Sequence, residues 1–430
     1  MSAAPLAGLR VLEFSHTVMG PTAGLLLADM GADVIKVEPG PSGDHTRKLG
    51  GFASGFFAAF NRNKRSIVLD LKSAEGQGIL HRLVRDADVV LENYGPGTME
   101  RLGCGYEQLA PLNPRLIYLA LKGYLAGPYE HRPALDEVVQ FHTGLAYMTG
   151  PIGQPLRAGA SVVDIMGAVF GVVAVQAALR ERDVTGRGQR VGSALFESAA
   201  FLMATHMSGI AATGREMPPM PARRGAWAIY QVFTARDGGE LFIGVTSDQQ
   251  WTRFLKEFGL QALGDDPRLA TNESRVLERP WLIPKLQEAV GALSLDDVSA
   301  RCERANISWA PVGKPQDLYT DAHLLAGGLV DVLVPQLGGT GSVMTKLPAL
   351  PVEFGNAVNP LHHVKLGTVD MVRHQPGVRR AARQNHLGAF RIDHVAVRAV
   401  VLEQAAHVAD VVGKAGNDDV REIVHGQMRL

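Results

Sequence analysis

The sequence predicts an α/β protein that combines a Rossmann-like large domain with a small α+β domain. Strand-like and helix-like segments alternate through the first 125 residues, which is typical of a parallel, doubly wound sheet. Three Pro and two Met then interrupt the periodicity at residues 213–224. A hairpin pattern and amphipathic helices follow this stretch and indicate a second, smaller unit.

These changes of pattern set the expected domain boundaries. We expect residues 1–212 to form the N-terminal part of the large domain and residues 213–226 to form a linker. Residues 227–325 are predicted to form the small α+β domain. Residues 326–430 are predicted to return to the large domain and to end in an atypical tail.

Apolar runs and amphipathic periods predict the individual elements. In the large domain, strands are expected at residues 9–14, 33–37, 66–70, 88–92, 116–124 and 190–195. Helices are expected there at residues 20–30, 74–86, 135–148, 164–182 and 196–207. In the small domain, strands are expected at 229–233 and 241–245, and helices at 249–258, 280–292 and 295–305.

The composition excludes several classes of function. The 43 basic and 43 acidic residues cancel, so nucleic acid is not an expected partner. Two cysteines, Cys104 and Cys302, make no disulfide framework and fit a reducing compartment. The start of the chain resembles no secretory signal, and apolar runs such as residues 169–179 look too short to span a bilayer. We therefore expect a cytoplasmic protein without membrane partners.

Polar residues follow several of the predicted strands, at positions 15–16, 38, 93–94 and 122–124. In doubly wound sheets, ligands bind beyond the carboxyl ends of the strands, so a site is expected there. The first strand–helix junction lacks G-x-G-x-x-G, which disfavours a nicotinamide oxidoreductase. No Cys/His spacing predicts a zinc site and no G-x-S-x-G predicts a serine nucleophile.

Two features allow a structural or a functional interpretation. The basic run at residues 61–65 is either a solvated loop, the commoner case, or a phosphate clamp. Asp136 stands in the first turn of a predicted helix, where most Asp residues are caps. The helix dipole there favours the ionised carboxylate, which could also act as a nucleophile.

Several motifs together resemble those of the family III CoA-transferases, which include formyl-CoA:oxalate, carnitine, bile-acid and succinyl-CoA:glutarate transferases. The motifs are LRVLEFS (9–15), ADMGADVIKVE (28–38), NRNKRSI (61–67), ENYGPG (92–97), LKGY (121–124), PALD (133–136) and TGRGQ (185–189). They occur in order across about residues 6–355. The resemblance is specific for the family and much less so for the substrate.

The resemblance implies an interlocked homodimer of two ring-shaped subunits and a catalytic Asp136. This carboxylate would form an acyl anhydride with the donor and then an aspartyl-CoA thioester, so no permanent cofactor or metal is needed. The substrates would be an acyl-CoA and a free carboxylic acid. The resemblance also implies a set of CoA-binding residues, namely His16, Val18, Met19, Leu69, Lys72, Asn93, Tyr94, Arg101, Lys122 and Tyr124.

The chain departs from the family pattern at three places. Pro39 stands where oxalate-type members carry an Arg, so one phosphate contact is missing. Residues 218–225 replace the glycine-rich loop near the small domain. Residues 355–430 do not resemble the usual closing segment and are compatible with a divergent extension or with a frameshift product.

Two other functions fit the same motifs. A 2-methylacyl-CoA racemase uses a His directly before this Asp and a second Asp downstream, which Asp164 matches, but Leu135 cannot carry a proton. A catalytically inactive CoA-binding protein is the non-enzymatic alternative. For the acceptor, Arg157 either binds a distal carboxylate or is a surface arginine. We favour a dicarboxylic acceptor with succinyl-CoA as donor.

Overall fold

The computed structural model describes residues 4–40, 42–222, 225–336 and 341–355, together with the backbone of residues 368–372 and 378–384. The described residues up to Gln384 pack as one compact unit. Most of the atypical tail predicted after residue 355, including all of residues 385–430, lies outside the described residues.

Six parallel strands form the centre of the main sheet. They are β1 (Arg10–Phe14), β2 (Asp33–Glu38), β3 (Arg65–Leu69), β4 (Val89–Glu92), β5 (Ile117–Lys122) and β6 (Arg190–Ala194). Their spatial order is β3-β2-β1-β4-β5-β6, which is the order of the doubly wound dinucleotide-binding fold. The predicted α/β class with a parallel sheet is therefore confirmed.

Helices cover both faces of this sheet. They are α1 (Met19–Asp29), α2 (Phe56–Phe60), α3 (Ala74–Arg85), α4 (Thr98–Arg101), α5 (Tyr106–Leu109), α6 (Asp136–His142), α7 (Leu145–Thr149), α8 (Val162–Thr185), α9 (Leu195–Leu202) and α10 (Ala204–Thr213). Leu27 of α1 and Val175 of α8 pack on one face, while Leu80 and Val84 of α3 pack on the other. The strand order reverses between β1 and β4, and in doubly wound sheets ligands bind at the carboxyl ends of the strands beside such a reversal.

Two predicted helices are interrupted in the structure. The helix expected at residues 135–148 is split into α6 and α7 by Gly144, whose φ of +85° is not helical. The helix expected at residues 196–207 is divided at Met203, between α9 and α10. The short helices α2, α4 and α5 were not predicted, because three or four turns are needed before a period is visible.

A second, three-stranded antiparallel sheet has a core of its own. It contains β7 (Ile229–Thr234), β8 (Glu240–Val245) and β9 (Ser308–Pro311) in the order β7-β8-β9. Its helices are α11 (Asp248–Phe258), α12 (Asn272–Leu277), α13 (Arg279–Gly291) and α14 (Leu295–Arg304). Phe233, Phe254, Leu286 and Val298 meet in this core. These elements lie within residues 227–325, and the boundaries expected for a small α+β domain stay a prediction.

The chain then forms two further hairpins. The antiparallel pair β10 (Leu329–Pro335) and β11 (Ser342–Pro348) packs Val330 and Val332 near Leu26 and Met30 of the large sheet's helices. Strands β12 (Thr368–Val372) and β13 (Val378–Gln384) extend the main sheet antiparallel beside β3. Neither hairpin was predicted.

Helix α8 is longer than the sequence suggested. Its 24 residues make it, within the described part of the chain, the one helix long and apolar enough to cross a membrane. The expectation that this apolar run is too short to span a bilayer was therefore wrong. In the structure α8 packs against β5, β6, α1 and α9, and Gly171 lies against Leu119 and Leu121.

Candidate active site

The loop after β1 is bound to the loop after β4. The side chain of Asn93 accepts a hydrogen bond from His16 N at 3.0 Å and donates one to His16 O at 2.9 Å. Asn93 was predicted to contact CoA, but its amide is occupied by the backbone of His16. Thr17 follows with a φ of +68°, a left-handed conformation that is unusual for a β-branched residue.

Three aromatic rings line this junction. The ring of His16 lies 5.3 Å from those of Tyr94 and His45, measured between centroids. Its Nδ1 is 2.7 Å from Thr17 Oγ1. Burial and the neighbouring His45 lower the pKa of His16, so the ring is neutral at physiological pH. The structure thus brings together the predicted His16, Asn93 and Tyr94, and adds His45, which the sequence analysis did not select.

The three predicted cations differ in whether their charge is already paired with an acid of the protein. Lys122 Nζ contacts Glu92 Oε1 at 2.6 Å and donates to Tyr94 O at 2.8 Å, so its charge is neutralised within the protein. Arg101 is exposed and donates to Thr98 Oγ1, while Lys72 is exposed after β3. Within the described residues neither of these two has an acidic partner, so they retain the charge that a phosphate requires.

The remaining predicted CoA-binding residues are mostly buried. Val18, Met19, Leu69 and Tyr124 are each exposed by 5% or less. The Met19 methyl group lies against Gly167 of α8, where an added Cβ would come within 2.4 Å of it. The first residue of α1 therefore contacts α8 one turn beyond Asp164.

The basic run at residues 61–65 is buried in a way that neither interpretation anticipated. Arg62 and Asn63 donate to Asp29, and Lys64 donates to Glu13 at 3.0 Å. Their donors are committed to acids within the protein. The run is therefore neither a solvated loop nor a free phosphate clamp.

Asp136 is the first residue of α6, and only 3% of it is exposed. One carboxylate oxygen accepts hydrogen bonds from the backbone N–H groups of Val163 and Asp164, at 2.8 and 3.0 Å, in the first turn of α8. The other oxygen accepts a bond from Gln140 Nε2. The start of a helix has free N–H groups that need such acceptors, so Asp136 caps α8 rather than its own helix.

Asp164 lies beside this cap and is partly exposed. No described residue donates a hydrogen bond to its carboxyl group. Burial, together with the carboxylates of Asp136 and Glu137, raises the pKa of Asp164 to about 7. A carboxyl group with a pKa near neutrality is more basic than an ordinary one and is typical of functional sites. The structure therefore places a second carboxyl group, that of Asp164, beside the predicted nucleophile Asp136.

Arg157 reaches the same cluster. Its guanidinium forms an ion pair with Glu137 and donates from Nε to Ala158 O at 2.9 Å. Gln140, which is fully buried, accepts a bond from Ala158 N at 2.9 Å and so fixes this loop to α6. Arg157 is thus paired with an acid of α6 in the structure, and its binding of the acceptor stays a prediction.

Within the described residues no group of three His, Cys, Asp or Glu side chains could hold a metal ion. Both Cys104 and Cys302 are buried free thiols, and burial raises the pKa of each. The site therefore offers carboxyl groups, imidazoles and exposed cations at the carboxyl ends of the strands, a set that suits acyl transfer from a phosphate-bearing thioester.

Comparison with known proteins agrees with this chemistry. Residues 6–363 match the model of CoA-transferase family III. A succinate–glutarate CoA-transferase from Agrobacterium fabrum is 36% identical over 76% of this chain and 84% of its own length. An acetyl-CoA:oxalate CoA-transferase from Acetobacter aceti is 34% identical over 83% of this chain and 90% of its own.

A solved structure has the same architecture. The crystal structure of a CAIB/BAIF family protein from Brucella suis superposes with a TM-score of 0.73 at 31% identity, covering 93% of this chain and 99% of that one. The family expectation drawn from the sequence motifs is confirmed. The chain belongs to CoA-transferase family III and is an enzyme that transfers coenzyme A.

Proposed function

We propose that this enzyme moves CoA from succinyl-CoA to a dicarboxylic acid through a covalent intermediate on an aspartate side chain. The observation that carries the proposal is the carboxyl group of Asp164, to which no described residue donates a hydrogen bond and which stands beside Asp136, whose oxygens accept three. The succinate–glutarate relative supports the choice of donor and acceptor class.

The reaction proceeds by four carbonyl attacks. The ionised carboxylate attacks the thioester carbonyl, the C–S bond breaks, and an aspartyl acyl anhydride and CoA thiolate form. The thiolate attacks the aspartyl carbonyl and releases the donor acid, which leaves an aspartyl-CoA thioester. The acceptor carboxylate then attacks this thioester, and the released thiolate attacks the acceptor carbonyl of the new anhydride. Atoms and charge balance, and no oxidant is needed.

We assign the acyl carrier to Asp164 and a supporting role to Asp136. A nucleophile needs an accessible lone pair, and the oxygens of Asp136 accept three hydrogen bonds in a side chain that water hardly reaches. Asp164 is partly exposed, and its pKa of about 7 leaves a substantial ionised fraction at neutral pH. Ionised Asp136 also supplies part of the field that makes Asp164 more basic.

Mapping the covalent intermediate tests this assignment. After incubation with succinyl-CoA and digestion, we expect a CoA or hydroxylamine-derived hydroxamate adduct on the peptide that contains Asp164. Asp164→Asn is expected to lose the adduct and to lower turnover by at least about 10³-fold. Asp136→Asn is the matched control, because an asparagine oxygen still accepts from the α8 backbone and should retain the adduct.

An adduct on the Asp136 peptide would return the role to the residue that the sequence analysis selected. Absence of any adduct in the presence of turnover would instead favour direct transfer in a ternary complex. Proton exchange at the α-carbon of a 2-methylacyl-CoA, without acid exchange, would favour the racemase alternative. CoA binding with neither reaction would indicate an inactive binding protein.

We also propose that the enzyme is an interlocked homodimer and acts in the cytoplasm. Large apolar side chains of α6, α8 and α9 face outward on the single chain, among them Val138, Phe141, Val169, Val173 and Phe201. Exposed apolar area of this extent is typical of a protein interface. Sedimentation at micromolar concentration should give twice the 46.1 kDa chain mass, and a monomer would contradict the proposal.

A further inference from the structure

The loop after β1 is held from two sides. Lys36 of β2 donates from Nζ to Ser15 O at 2.7 Å, while Asn93 bonds to both backbone groups of His16. Thr17 lies between these anchors and the helix, at φ +68°. A non-glycine residue keeps that conformation only where its surroundings hold it there. The hydrogen bonds to Ser15 and His16 therefore offset the free energy that this backbone conformation costs.

Lys36 belongs to a buried group of four charged residues, which we name the inner ion cluster. Its members, Glu13, Lys36, Asp44 and Lys64, have side chains exposed by 1% or less. Lys36 Nζ lies 3.2 Å from Glu13 and 3.1 Å from Asp44, and Lys64 Nζ lies 2.8 Å from Glu13. The two positive charges and the two negative charges therefore cancel within a group that is buried away from solvent.

This setting keeps Lys36 charged. Burial acts to lower the pKa of Lys36, but Glu13, Asp44 and Glu38 outweigh it, and the pKa lies above its ordinary value. Its ammonium group has three donors and donates to Glu13 Oε1 and to both Ser15 O and Ser15 Oγ, while Asp44 contributes an ion-pair contact. The ammonium group therefore links the core of the sheet to the loop and holds the loop in position.

The loop that Lys36 and Asn93 hold contains or adjoins the predicted CoA-binding residues His16 and Met19. The ring of His16 faces Tyr94, and Met19 reaches Gly167, one turn beyond Asp164. A displacement of Ser15 O would move each of these positions relative to α8. Binding to a loop that is already ordered avoids the entropy cost of ordering it when the ligand arrives.

We propose that Lys36 is a positioning residue, which fixes Ser15 and so keeps the loop of residues 15–19 in the conformation that receives the acyl-CoA. This inference rests on the proposed function, because the ligand is the CoA thioester of that reaction. Lys36 itself need not touch the ligand.

The test separates positioning from stability by using two double variants. Lys36→Met alone leaves Asp44 without its cation, whereas Lys36→Met with Asp44→Asn removes one charge of each sign. The double variant should unfold close to the wild-type temperature yet bind CoA on the order of tenfold more weakly. Its KM for succinyl-CoA should rise by a similar factor, while kcat at saturation changes little.

Arg62→Met with Asp29→Asn is the matched control. It removes another buried ion pair, joined at 2.7 Å, and neither side chain bonds to residues 15–19 within the described part of the chain. Its CoA affinity should stay within about twofold of the wild type. Hydrogen exchange without ligand should be faster at residues 15–19 in the Lys36 double variant and unchanged there in the control.

Each outcome bears on the proposal. Wild-type affinity and wild-type exchange in the Lys36 double variant would overturn it, as would an equal loss of affinity in the control. Should the Lys36 double variant not fold, Asn93→Ala tests the loop from its other anchor with the same two measurements, and unchanged values would overturn it. Failure of the wild type to bind CoA would count against the proposed function, while exchange without ligand would still test the positioning role.

Discussion

The inner ion cluster is shielded from water, whereas two of the acids near the start of α8 are partly exposed, and the charges of the two groups are arranged differently. The inner ion cluster has two lysines for two acids, and every ammonium group has a carboxylate within 3.2 Å. The second group, which we call the acidic cluster, contains Asp136, Glu137 and Asp164 with Arg157 as its one cation. Buried charges that cancel hold the backbone of the loop in place, as Lys36 does at Ser15. An excess of negative charge instead leaves Asp164 with a raised pKa.

The comparison separates two uses of a buried charge. A fully paired group resists removal of any one member, because the remaining partner is left uncompensated. A group with surplus charge of one sign destabilises the fold and is expected where chemistry needs it. Substitutions should therefore lower stability in the inner ion cluster and raise it at Asp164.

The largest effect is expected from Lys64→Met. The variant leaves Glu13 buried with one cation fewer, so the free energy of unfolding should fall by about 3–5 kcal/mol. Urea denaturation monitored by fluorescence measures the change. Lys72→Met is the matched control at an exposed lysine and should alter stability by less than about 0.5 kcal/mol. A loss below about 1 kcal/mol at Lys64 would break the comparison.

Asp164→Asn should have the opposite sign. The folded pKa of about 7 lies above the reference value of 3.8, so the folded protein keeps a proton that the unfolded chain releases between these pH values. The free energy of unfolding of the wild type therefore falls as pH rises through this window, whereas that of the variant, which has no carboxyl group at this position, does not. We expect a gain of roughly 1–3 kcal/mol at pH 8, reduced by partial exposure.

The pH dependence of the stability of Asp164→Asn provides the control for this prediction. The advantage of Asp164→Asn over the wild type should be complete above pH 7 and should shrink steadily as the pH is lowered below that value. Thermal unfolding of both proteins at pH 8 and pH 5 measures it. A gain that is equal at both values would assign the effect to packing rather than to charge.

Arg157→Ala should have a moderate effect on the acceptor side. Arg157 already pairs with Glu137, so a dicarboxylic acceptor exchanges one carboxylate partner for another and the net contribution is about 1 kcal/mol. The acceptor KM should therefore rise by roughly fivefold, with CoA affinity unchanged. An unaltered acceptor KM in steady-state kinetics would confine Arg157 to holding Glu137.

The sequence predicted the parts of the molecule that local pattern determines. Apolar runs and helical periods predicted the six parallel strands and α1, α3 and α8 to within a few residues. Asp136 was visible as a helix-start residue, but pattern could not reveal that its oxygens bond to α8, because tertiary packing brings that helix to it. The partners of Lys64 and Lys122 were hidden for the same reason: sequence shows a charge but not its neighbours.

The smallest effect should come from Glu137→Gln, and it concerns pH rather than stability. Glu137 is the weakest of the three influences that raise the pKa of Asp164, after burial and Asp136. Removing its charge favours ionised Asp164, so the rising limb of kcat/KM against pH should move to lower pH by a few tenths of a unit.

Profiles from pH 5.5 to 9 at low acyl-CoA concentration measure this shift. Glu130→Gln is the matched control, because Glu130 pairs with His131 on an exposed turn and its loss should leave the limb in place. A shift to higher pH in Glu137→Gln would mean that freed Arg157, rather than lost repulsion, governs the site, and the unbalanced charge of the acidic cluster would no longer explain how Asp164 is tuned.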